Sequence, residues 1–194
     1  PKGFRGPGFS WSEDLLEVLK KRNYLYDAST LPTWLGPIAR LYYFWKSDLP
    51  KEEKQARKEL FGKFSDGLRP NKPYFHQLKN AELLLEIPVT TVPVLRIPFH
   101  LSYLIYLSGI SPVLMKLYLS VAIYLCKLTR TQPSYLLHPL DLIGGDKITS
   151  LAFFPGMNLG SDKKIEVFKE VILRLKKHFV LTNMSDFANT YNQT

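Results

Sequence analysis

The chain has 194 residues, about one domain's worth. It is 45% hydrophobic, 13% aromatic and 22% charged, which excludes a disordered or low-complexity chain. The 26 Lys and Arg residues stand against 17 Asp and Glu, a formal charge of +9 that permits anionic partners without selecting one. Its one cysteine, Cys126, excludes an internal disulfide scaffold and a cysteine metal site.

The chain opens Pro-Lys-Gly-Phe-Arg, with no Met and no signal-peptide pattern, which leads us to expect part of a longer protein. Ser10 to Asn23 reads as a helix. Ser10 and Glu13 have capping-box spacing, Leu15, Leu16 and Leu19 form an apolar stripe, and Lys20 to Arg22 suit the negative end of the helix dipole. Tyr24-Leu25-Tyr26 reads as a short strand ending at Asp27.

Residues 31–80 read as an insertion punctuated by Pro32, Pro37, Pro50, Pro70 and Pro73. The stretch holds an aromatic-rich run, Trp34 to Trp45, and a charged helix, Lys51 to Phe61, closed by Gly62. Leu83 to Val89 reads as a buried strand. The apolar stretch Leu101 to Leu128 is interrupted by Gly109, Ser111-Pro112 and Lys116, so two helices are expected, 101–108 and 112–128. A buried helical hairpin is the first reading. A hairpin on or in a membrane is the alternative.

Ser134 to Leu137 reads as a strand ending at His138, and Phe179 to Leu181 as a last strand. Between them Ser161 to His178 has Ile165, Phe168, Val171, Ile172 and Leu175 on one helix face. Ser185-Asp186 would open a terminal helix. Strands alternating with helices indicate an α/β fold with parallel strands.

Polar groups at strand ends are where α/β folds carry chemistry. Arg5 in its Gly/Pro turn, Asp27, and His138 with Asp141 three residues on are the candidates. Each has an ordinary alternative: Arg5 as a surface group, Asp27 as a turn cap, His138 as a structural histidine and Asp141 as a cap. His76 and His100 lean towards structural roles. A serine triad and a phosphate loop are not indicated, because neither G-x-S-x-G nor G-x-x-x-x-G-K-[ST] occurs. No pair of histidines has metal-binding spacing, and no nucleic-acid reader motif is present.

In chain order these pieces resemble the polysaccharide deacetylase family, carbohydrate esterase family four. Phe4-Arg5-Gly6-Pro7-Gly8-Phe9-Ser10 resembles its arginine-proline turn. Asn23-Tyr24-Leu25-Tyr26-Asp27-Ala28-Ser29 is similar to the element that follows that turn, and Leu84 to Val89 to the next strand. Tyr135-Leu136-Leu137-His138-Pro139 resembles the last motif, a strand ending in histidine.

The resemblance implies the C-terminal part of a distorted (β/α) barrel, with 1–194 a single, incomplete domain. It implies a metal-dependent hydrolase that removes acetyl groups from an N-acetylated sugar, polysaccharide or glycolipid. His138 would be the general acid and Arg5 the arginine that orients a catalytic aspartate. Asp27 would help shape the site, and Asp141 would orient His138 or cap its turn. Trp34, Tyr42, Tyr43 and Trp45 would offer rings to a sugar face. The family's metal, often zinc, would need an aspartate motif and an H-x-x-x-H motif. Both would precede Pro1, so these residues alone are expected neither to hold the metal nor to catalyse well. Two further readings follow: a catalytically silent binding module, and a peripheral membrane protein using residues 101–128. Nucleic acid is not an expected partner.

Overall fold

A computed structural model describes residues 1–38, 41, 63–151 and 156–191. Within these the protein is a mixed α/β structure. The chain forms two compact units, Pro1–Thr91 with Thr182–Thr194, and Val92–Leu181.

The first unit is built on four short strands: β1 (Gly3–Phe4), β2 (Tyr26–Asp27), β3 (Tyr74–Gln77) and β4 (Leu83–Glu86). Their order is β1-β2-β4-β3. The first three neighbours are parallel, and β3 adds an antiparallel edge to β4. Two strands therefore run beyond the sequence reading. β1 is too short to show a period, and β3 lies inside the 31–80 stretch, whose end thus belongs to the sheet and not to an insertion.

The side-chain period of two sorts the faces of this sheet. Leu84 packs with Phe4 and Leu78 against Leu16 and Leu19 of α1 (Glu13–Lys21). Leu85 and Ile87, on the opposite side, pack with Ala188, Phe187 and Met184 of a terminal helix, Met184–Tyr191. The helix cap of α1 is Ser12, not Ser10: Leu15 N donates to Ser12 Oγ at 3.2 Å. Ser10 instead closes the Pro7–Phe9 turn, its hydroxyl donating to Pro7 O at 2.8 Å. The terminal helix is anchored by Asn183, whose Oδ1 accepts from Asp186 N at 2.9 Å.

The second unit is helical. α2 (Leu101–Ile110) and α3 (Pro112–Leu128) are joined at Ser111, which caps α3 by accepting from Leu114 N at 3.3 Å. Pro112 sits at the first helical position, where its missing N–H costs nothing. These two pack with α4 (Ser161–His178) around Phe99, Leu104, Leu119, Cys126, Val171 and Leu175. The buried face of α4 is Lys164, Val167, Val171 and Leu175, one step round from the predicted face, because Lys164 is drawn inward by backbone acceptors.

The strands expected at Ser134–Leu137 and Phe179–Leu181 do not form. Leu136 O accepts one bond, from Leu101 N at 3.2 Å, and no ladder develops. The expected helix Lys51–Phe61 and its Gly62 lie outside the described residues.

Candidate functional site

The two motifs of the N-terminal unit come together. Ala28 N donates to Phe4 O at 2.8 Å, and Arg5 Nε donates to Ala28 O at 2.9 Å. Gly6 N donates to Ser29 Oγ at 2.8 Å, and that hydroxyl donates to Asp27 Oδ1 at 2.7 Å. Glycine is required at position 6, where a Cβ would lie 1.8 Å from Ser10 O. The arginine turn is thereby clipped onto the Asp27-Ala28-Ser29 loop. Burial lowers the Arg5 pKa, against the attraction of Tyr26, Glu86 and Asp27.

Strand register then sets a buried acid pair. Asp27 on β2 lies opposite Glu86 on β4, so both carboxyls leave the same face. Glu86 Oε1 accepts from Thr30 N at 2.9 Å. Asp27 Oδ2 and Glu86 Oε2 are buried and meet no hydrogen-bond donor among the described residues. Burial first, and the Glu86 charge second, push the Asp27 carboxyl up to about 7 against the bond from Ser29. A proton on Asp27 relieves its repulsion with Glu86. His76 completes the cluster with Nε2 3.6 Å from Glu86 Oε2, its ring between Trp11 at 5.3 Å and Tyr74 at 5.0 Å.

The C-terminal unit positions His138 differently. Asp141, three residues on, accepts from His138 N through Oδ2 at 2.7 Å. The same oxygen lies 3.5 Å from His138 Nδ1. Ser102 Oγ on α2 stands 3.1 Å from Nδ1 and also bonds to the Asp141 carboxylate. Burial works to raise the Asp141 pKa. The bonds from the His138 side chain, the His138 backbone and Ser102 outweigh it and hold the carboxyl below its ordinary value. Asp141 is 6% exposed, whereas half of the His138 side chain is open to solvent. Asp141 therefore caps the turn and lies beside the His138 ring.

Lys164 fastens this turn from behind. Its Nζ donates to Leu140 O at 2.7 Å and Ile143 O at 2.8 Å, and burial lowers its pKa. Two other polar features of this unit are tied into its packing as well. Asp146 Oδ1 accepts from Ser161 N at 2.8 Å and Ser161 Oγ at 2.9 Å, so the Gly144-Gly145-Asp146 turn caps α4. His100 is buried with its ring edge-on to Tyr103 at 4.8 Å.

Of the expected sugar-facing aromatics, Trp34 packs against Phe64, ring centroids 5.2 Å apart, and against the backbone at Gly67, where a Cβ would strike its ring. Tyr42, Tyr43 and Trp45 lie outside the described residues. Arg5 and Asp27 are thus brought together, as are His138 and Asp141, each pair within its own unit. Ser29, Glu86, Ser102 and Lys164 were not singled out as site residues from the sequence. Glu86 alone carried a signal, as the one acid in an otherwise apolar strand.

Among the described residues no group of three or more His, Cys, Asp and Glu is placed to hold a metal ion. Asp27, Glu86 and His76 do not make such a group. No family model, curated protein or solved structure matches the chain.

Proposed function

We propose that the chain is the His138-bearing part of a metal-dependent hydrolase that removes acetyl groups from an N-acetylated sugar, polysaccharide or glycolipid, within a (β/α)-barrel of the deacetylase type. The observation that carries this reading is the half-exposed imidazole backed by a buried, ionised carboxylate. The motif resemblance supplies the substrate class.

Cleaving an amide C–N bond leaves an amine that needs a proton. With Asp141 and Ser102 occupying the Nδ1 side, Nε2 is the ring nitrogen free to act at the surface. In the protonated ring, Nε2–H would transfer its proton to the departing nitrogen as the bond breaks, and the Asp141 charge steadies the imidazolium. Asp141 and Ser102 are positioning residues here. In the first unit, the Arg5 clip fixes the loop that presents Asp27. The divalent metal of this chemistry would take its ligands from other residues, and no step is routed through it.

The test is His138→Gln in the whole gene product, assayed on N-acetylated oligosaccharides. Turnover should fall about 10²- to 10⁴-fold with little change in KM. Undiminished turnover would remove His138 from the mechanism. Saccharide binding without turnover in the wild type would favour a binding module instead.

A further inference from the structure

Helix α3 has two apolar faces, and the core needs one. Met115, Leu119, Ala122, Ile123 and Cys126 are buried. On the opposite side Val113, Leu117, Val121, Tyr124 and Leu128 follow at steps of three or four residues, and all are exposed, Val113 to 75% and Leu117 to 60%. Ile110, at the end of α2, is exposed as well. Apolar patches of this length on a folded surface mark contact sites.

The charge around the stripe indicates the occupant. Residues 87–140 contain no Asp or Glu, while Lys116, Lys127 and Arg130 are exposed on or just after α3. Arg174 of α4 reaches the same border, Nη1 donating to Ser120 Oγ at 3.0 Å. One acid approaches from α4, Glu170, 2.6 Å from Arg174 Nε and 4.0 Å from Lys116 Nζ, and the cations outnumber it.

We infer that this face of α3 docks on an anionic lipid bilayer, lying in the plane of the headgroups. The apolar stripe would enter the acyl boundary while the lysines and arginines meet the lipid phosphates. Tyr124 suits that interface, with an apolar ring and a polar tip. A second copy would set the same cations against each other, and the one acid at the border, Glu170, is already taken by Arg174 of its own chain. No helix among the described residues is long and apolar enough to cross a membrane, so the mode is surface contact and not spanning. This inference stands on the surface alone and does not rest on the deacetylase reading.

The purified chain is floated with vesicles of phosphatidylglycerol and phosphatidylcholine in equal parts, and with phosphatidylcholine alone. It should rise with the anionic vesicles and remain below the neutral ones, and raised salt should weaken the association. The triple variant Leu117→Asn, Val121→Asn, Leu128→Asn changes only exposed side chains, and its melting temperature checks the fold. Its vesicle binding should drop at least about tenfold. Lys116→Gln with Lys127→Gln should lower binding to anionic vesicles about twentyfold. Failure of the wild type to float with anionic vesicles would overturn the inference. So would equal flotation of a folded triple variant, or a wild-type dimer that the triple variant dissolves.

Discussion

Asp27 and Asp141 are both buried carboxyls beside a second polar group, yet their pKa values move in opposite directions. Burial pushes both upward. Around Asp141 the neighbours are donors: the His138 backbone N–H, its imidazole and the Ser102 hydroxyl. Around Asp27 the strand register places another carboxyl, and the Ser29 hydroxyl and the Ala28 backbone do not outweigh it and the burial. Donors therefore decide the sign, and burial only sets the stakes. A strand end in one unit carries a carboxyl whose pKa is raised, and a tight turn in the other carries one whose pKa is lowered.

The largest test of this contrast is the pH dependence of stability. Asp27 has a folded-state pKa of about 7, above the ordinary 3.8, so between those values the folded chain holds the extra proton. Its contribution to stability therefore falls as pH rises through that window, by a few kcal/mol (about 1.4 kcal/mol for each unit). Asp27→Asn keeps the shape and supplies a donor to Glu86. The variant should gain about 2 kcal/mol over wild type at about pH 8, and lose most of that gain near about pH 4. Urea unfolding across that range measures it, and parallel curves for the two proteins would break the pairing of Asp27 with Glu86.

Asp141 runs the other way. Its folded pKa is lowered, so its stabilisation is present at neutral pH and disappears as pH falls through the lowered value. Asp141→Ala strands the His138 N–H and should cost about 2 kcal/mol at neutral pH by urea unfolding, and less in acid. A cost that is the same in acid would mean that the charge plays no part.

Ser29→Ala removes the side-chain bond that lowers the Asp27 pKa, leaving that of the Ala28 backbone, and leaves the Gly6 N–H without its acceptor. It should destabilise the chain by about 1–2 kcal/mol and move the Asp27 midpoint further up, which urea unfolding and carboxyl NMR would show. The smallest effect is expected from Ser102→Ala, about 1 kcal/mol by thermal melting. Turnover should fall with it if Ser102 helps orient the His138 ring. Unchanged turnover would leave that orientation to Asp141 alone.

The sequence carried the local signals well. The stripe Leu16–Leu19, the break at Ser111-Pro112 and the helix Ser161–His178 follow from period and punctuation, and all three are present. Where partners are distant in sequence, the reading stopped short. β1 and β2 each span two residues, too few to show alternation, and their pairing is visible only in the fold. The Ser134–Leu137 run has strand-like composition, but its backbone meets α2 at one bond rather than a ladder. Ser102 reaches His138 across 36 positions, and Lys164 reaches Leu140 across 24, which no spacing rule connects. Asp141 was readable beside His138 because a cap three residues away is a local device.

The most direct measurement is a carboxyl ¹³C NMR titration that follows Asp27 and Asp141 in the same sample. Asp27 should titrate near about 7 and Asp141 below the ordinary carboxyl value of 3.8. The opposite result, with Asp141 protonated at neutral pH, would leave His138 without its anionic partner and contradict its role as a steadied general acid.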